Sequence, residues 1–191
     1  MSKPKRKRIT KVNHTSSHIE PSVVDPLAFT ENASSNNAKK VLVFNEKLNI
    51  EIWIDKHYQD RVYSGSDDGS VREGIEYELI EPVLIKSFKH ILYYSLKHKN
   101  FLFINHPPKK VRNLRLVLKE LTEEDSFLNI VVEYHFIDLN TIELTIVTAL
   151  TNNNFNFSVG QYGIEFEDNH SKLVQFNSGR LSDIDTYDYY D

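Results

Sequence analysis

The 191-residue chain contains no cysteine. Disulfides, thiolate zinc sites and cysteine nucleophiles are all excluded. Apart from His14 and His18 in the N-terminal stretch, its histidines do not fall at a His-x-x-x-His or similar ligand spacing, and neither a metal site nor a cofactor is expected. No apolar run is long enough to span a bilayer, and no apolar h-region follows the basic N-terminus. These absences predict no membrane partner and a cytoplasmic protein, in the host cytoplasm or virion if the source is a phage. There is no internal repeat. One absence is local: between residues 82 and 119 there is no Asp or Glu.

What is present suffices for a core. The chain is 40% hydrophobic and 12% aromatic, which excludes general disorder and fits one domain with tails. Residues 1–38 read as a basic, Ser/Asn-rich arm, with Lys3, Lys5, Arg6, Lys7, Arg8 and Lys11 at its start. Residues 39–177 read as the domain, and residues 178–191 as a loose acidic tail of Asp and Tyr.

Within the domain, Leu48, Ile50, Ile52 and Ile54 alternate with Asn49, Glu51 and Trp53, the period of a strand with one buried face. A short helix follows, then a Gly/Ser/Asp loop over 64–70 and a helical pattern from Val71. Pro82 restarts that pattern, and Val83, Leu84, Phe88, Ile91 and Leu92 form an apolar stripe at helical spacing. The second half alternates instead. Residues 128–137 and 142–151 are β-branched runs joined by Asp138-Leu139-Asn140-Thr141, a hairpin signal. Runs at 157–166 and 172–176 follow. The expected architecture is α+β: two or three N-terminal helices packed on one face of an antiparallel meander sheet.

Candidate chemistry begins at His57 and Arg61, which stand four residues apart and so share one helix face. A titratable base beside a fixed cation suits a phosphodiester, and Arg72 adds a second guanidinium before the next helix. Arginine clamps phosphate bidentately, which lysine does less well. The acid-free span carries Lys86, Lys89, Lys97, Lys99, Lys109, Lys110, Arg112, Arg115 and Lys119, with His90, His98 and His106. Each such cation would add sequence-blind affinity for phosphates, and Tyr93, Tyr94, Phe101 and Phe103 are candidates to stack on bases. Alternation puts Glu133 and His135 opposite Val132, Tyr134 and Phe136. If the apolar side meets the helices, they share an open sheet face with Thr145, Thr151, Arg115 and Lys119.

Metal-free RNA cleavage needs a base for the 2′-OH, an acid for the departing 5′-oxygen and cations for the transition state. His57 suits either proton role, with His90 and His135 among the candidates for the second.

The sequence His57-Tyr58-Gln59-Asp60-Arg61, then Arg72-Glu73-Gly74-Ile75, a helix and a late run of strands, resembles the phage RegB-type endoribonucleases. More broadly it resembles the RelE/barnase/EndoU-like superfamily of small toxin nucleases. That resemblance, over about 48–151, implies His57 as the catalytic histidine and Arg61 and Arg72 as phosphate-binding arginines. Thr148 or Thr151 would match a late threonine. The loop between Arg61 and Arg72 is longer than that pattern has. The implied activity is metal-independent cleavage of single-stranded or messenger RNA to a cyclic phosphate. A second reading is a non-enzymatic phage virion or assembly protein that uses its charged arms to bind nucleic acid or neighbouring subunits. A third is an inhibitor of a host defence or toxin system.

Overall fold

The computed structural model describes residues 29–44, 49–64, 74–107, 112–122 and 125–188. The first 28 residues, Arg72, Lys109, Lys110 and residues 189–191 lie outside them.

Two long strands, β5 (Phe127–Asp138) and β6 (Thr141–Thr151), form the centre. They are the β-branched runs joined at Asp138, whose side chain accepts the Asn140 N–H at 2.8 Å and closes the hairpin. β6 then takes β2 (Asn49–Asp55) in parallel, Ile50 against Ile142 through Ile54 against Ile146. β1 (Ala38–Phe44) pairs antiparallel outside β2. On the far side β5 pairs with β4 (Leu116–Leu121), and β4 takes β7 (Tyr162–Glu167) in parallel. The two-stranded addition β8 (His170–Asn177) and β9 (Arg180–Asp188) completes that side. A short β3 (Ile104–Asn105) runs parallel to β5 beyond the end of β4. The order is β1-β2-β6-β5-β4-β7-β8-β9, a nine-stranded mixed sheet.

The expected fold is therefore corrected. Only two helices occur among the described residues, α1 (Lys56–Ser64) and α2 (Tyr77–Lys97), and β1 and β2 precede both. The sheet is not an antiparallel meander, because β2–β6, β3–β5 and β4–β7 pair in parallel. The α1–α2 segment lies within the long crossover that returns the chain beside β2, as parallel pairing requires. Pro82 restarts nothing: it sits inside the single helix α2. Its ring removes the backbone bond that would have gone to the Glu78 carbonyl, and both Pro82 and Glu78 are exposed residues. The acidic tail is not loose through Asp188, since β9 occupies 180–188 as an edge strand. Ser178 and Gly179 make its hairpin turn at φ 52° and 77°, the left-handed pair that suits the twist of flanking strands.

α2 covers one sheet face. Ile80, Val83, Leu84, Ile91 and Tyr94 pack on Ile52, Ile54, Leu144, Ile146, Ile130, Leu118 and Ile164, all buried. Burying each such side chain contributes roughly 1.5–3 kcal/mol. The opposite face carries Trp53, Thr145, Glu133, Val131 and Val117, all of them also buried. Two irregular segments cover it. Phe157 lies over Gly163 and Val174, so close that a Cβ on Gly163 would stand 2.7 Å from its ring. Residues 30–38 form a strap whose ends meet, the Thr30 and Ala38 backbones exchanging N–H···O bonds at 2.8 and 2.9 Å. Expected order from Lys39 thus moves back to Phe29. Asn32 is the strap's buried anchor, donating to Thr145 Oγ1 at 2.7 Å while its Oδ1 accepts the Ser34 and Ser35 N–H groups.

Candidate functional site

The strap rests on a buried polar cluster of β5 and β6. Alternation places Glu133, His135, Glu143 and Thr145 on one face, with His135 opposite Glu143 and Glu133 opposite Thr145. All four are buried, so the face expected to be open is covered. Glu133 is the hub. Its carboxylate accepts from Asn113 Nδ2 at 2.7 Å, Arg115 Nε at 2.8 Å, His135 Nε2 at 3.1 Å and the Ser34 hydroxyl. Burial alone would raise its pKa, but these four donors outweigh that and hold it at about 2. An ionised carboxylate only accepts, so the His135 Nε2 carries the hydrogen and Nδ1 is left as the ring's acceptor when the ring is neutral. Glu143 is the opposite case. Burial pushes its pKa up, and the Ala33 N–H at 2.9 Å with the nearby His135 offsets only part of that.

The second wall comes from the segment after β3. Asn105 is buried, and its side chain closes the base of the 106–113 segment. It donates to the Leu114 and Tyr134 carbonyls at 3.0 Å each and accepts the Leu114 N–H at 2.7 Å. Between the strap, this segment and the end of β5 lies a cavity of about 310 Å³. Ala33, Asn113, His106, His135 and Phe136 are among its lining residues. That volume is at the lower end of ligand pockets, which run roughly 300–1,000 Å³.

The other candidate residues fall elsewhere. Arg61 reaches from α1 to the Thr148 hydroxyl, so these two meet. Its buried Nε has no hydrogen-bond partner. His57 is half-buried one turn earlier, with its N–H on the Asp55 carboxylate at 2.8 Å. Gly74 packs on the same helix: a Cβ there would lie 2.2 Å from the Val62 Cα. Glu143 and Thr148 are five residues apart on β6, which at about 3.3 Å per residue separates their levels by roughly 16 Å. His135, level with Glu143, is therefore not in the Arg61–Thr148 site.

The cations do not form one surface. Lys86 pairs with Glu120, Lys97 with Asp185, Arg115 with Glu133 and Lys119 with Glu165. Every one of those acids lies outside the acid-free span. Lys89, Lys99 and Arg112 are exposed. The aromatics are engaged as well. Tyr94 and Phe101 are buried, Tyr93 stacks on Tyr187, and Phe103 stacks on Phe101. His90 is a core residue: it meets the Ser171 hydroxyl at 2.8 Å, flanked by Phe166 and Tyr187 rings.

Sequence reasoning missed the strap, Asn113 and the role of Asn105, because short Asn and Ser stretches read as loops. Among the described residues, no group of three or more His, Asp or Glu side chains is arranged to hold a metal ion. No described helix is long and apolar enough to cross a membrane. Compared with family models, curated proteins and solved structures, the chain has no match.

Proposed function

We propose that the chain is a metal-independent endoribonuclease, with its chemical centre at the cavity lined by His135. The observation that carries this reading is the His135–Glu133 pair at that cavity. A carboxylate held at about 2 fixes the imidazole's tautomer, with Nε2–H on Glu133 and Nδ1 left as the acceptor. His135 would take the 2′-OH proton as that oxygen attacks phosphorus, giving a 2′,3′-cyclic phosphate and a free 5′-OH. Arg115 is half-exposed while its Nε is held by Glu133, so its outer nitrogens can meet the phosphate. Arg112 adds charge nearby, and Lys109 and Lys110 belong to the same segment in sequence. The RegB-type resemblance adds the reaction class and points to His57 and Arg61 instead.

The test is labelled single-stranded RNA incubated with chelator. His135→Ala is expected to lose about 100-fold or more of the cleavage rate. No cleavage by the wild type, or an unchanged rate in His135→Ala, overturns the reading. A loss in His57→Ala with none in His135→Ala moves the chemistry to α1.

One observation favours a non-enzymatic assembly role. Lys86, Lys97, Arg115 and Lys119 are paired to acids of this chain, whereas Leu92 and Leu96 stand 60% and 81% exposed on the outer face of α2. On this reading, removing residues 1–28 abolishes assembly, while a nuclease keeps its rate. The cut must stop before Phe29, because removing 29–38 would also strip the strap from Glu133.

A further inference from the structure

We infer that His106 is the second proton carrier of the His135 cavity, the acid that protonates the departing 5′-oxygen. The inference rests on the endoribonuclease reading and adds what that reading lacks. Of the eight residues that line the cavity, only His106 and His135 carry ionisable side chains. They reach it from different elements. β3 pairs Asn105 with His135 in parallel register, and His106 is the next residue. Its backbone leaves an anchored position, since the buried Asn105 is tied to Leu114 and Tyr134 by three hydrogen bonds. The His106 ring is itself held against Phe136, centroids 5.4 Å apart.

The rival groups are otherwise engaged. Glu133 holds four donors and stays ionised, so it has no proton to give at neutral pH. Glu143 lies under the strap, with its Oε1 on the Ala33 N–H, and does not line the cavity. Arg115 is permanently charged and cannot cycle a proton.

The two imidazoles also differ in a way that assigns their roles. His135 is buried, and its Nε2–H on the ionised Glu133 leaves Nδ1 as the acceptor that a base needs. His106 is exposed, with no carboxylate partner among the described residues, so solvent can return its proton after each turnover. The balanced step has the 2′-oxygen–phosphorus bond forming and the phosphorus–5′-oxygen bond breaking. One proton passes from the 2′-OH to His135 and one from His106 to the 5′-oxygen. Water then returns both rings to their starting states.

Leaving-group chemistry tests this directly. An RNA dinucleotide expels an alkoxide that needs a proton, whereas a nucleoside 3′-(4-nitrophenyl phosphate) expels a stable phenolate that does not. Full-length wild type, His106→Ala, His106→Asn and His135→Ala are assayed on both esters in chelator, with a thermal melt of each. The expected result is a loss of about 100-fold for both His106 variants on the dinucleotide and only a few-fold on the nitrophenyl ester. His135→Ala loses both. Equal losses on the two esters, or none on the dinucleotide, overturn the assignment of His106 alone. A wild type inert toward both esters removes the endoribonuclease reading itself.

Discussion

Each face of the sheet buries a histidine against a hydroxyl-bearing or acidic partner, and the two are treated in opposite ways. On the α2 face, His90 meets Ser171 among Phe166 and Tyr187. Burial first, and then Lys89 and Lys86, pull it down to about 4, so it stays neutral. On the strap face, His135 meets an ionised Glu133 at the edge of a cavity. A buried imidazole alone signals packing. One oriented by a carboxylate beside open space is equipped to move a proton. The comparison also separates what holds each face: aliphatic contact on one, and a network of charge-assisted hydrogen bonds on the other.

Four measurements would break or sharpen that contrast. The largest effect belongs to the apolar face. Leu84→Ala, under α2, is expected to cost about 2–5 kcal/mol in denaturant unfolding, because Leu84 is fully buried and its neighbours cannot refill the space. Next is acid. Between pH 6.5 and 4 the unfolded chain binds a proton that folded His90 refuses, so stability falls as pH falls through that window. The loss reaches about 3 kcal/mol and is absent in His90→Phe. A flat wild-type profile between those values would contradict the neutral core histidine.

Glu133→Gln comes third, at about 2 kcal/mol, since Arg115, Asn113 and His135 lose a charged acceptor. Faster hydrogen exchange at the strap amides should accompany it. Because Glu133's folded pKa is depressed, its contribution is present above the unfolded carboxylate range and is lost as pH falls towards about 2. Glu143→Gln should be the mildest. The amide still accepts the Ala33 N–H, and burial already disfavours the Glu143 charge. With a raised folded pKa, Glu143 costs stability as pH rises. The variant should therefore gain on the wild type, by under about 1 kcal/mol, as pH climbs above the acid range. A loss growing with pH would reverse the sign.

Much of the centre was legible in the sequence. The β5–β6 hairpin follows from two β-branched runs and a short Asp/Asn turn, and the α2 stripe from its helical spacing, apart from Leu92, which is exposed. Glu133, His135 and Thr145 do share the face that alternation assigns them. The rest depends on partners far away in sequence. Period-2 alternation in Ile50, Ile52 and Ile54 says that a face is buried, yet nothing about the strand beside it. The parallel seat on β6 was therefore invisible. The acid-free span looked like a polyanion surface because Glu133, Glu165 and Asp185 reach Arg115, Lys119 and Lys97 only in three dimensions. The strap looked like an arm because its burial comes from bonds spanning 99 to 113 residues. β9 was missed because a mostly exposed edge strand tolerates Asp at several positions.

The parallel seat of β2 on β6 sets an order of assembly during synthesis. Residues 50–54 emerge from the ribosome some ninety positions before 142–146, the strand that will cover their edge. Ile50, Ile52, Trp53 and Ile54 must wait, paired at most with β1, while the later hairpins close locally and fast. Capture of the β1–β2 ribbon is thus expected to follow the local hairpins, and seating β2 on β6 is what brings Arg61 to Thr148.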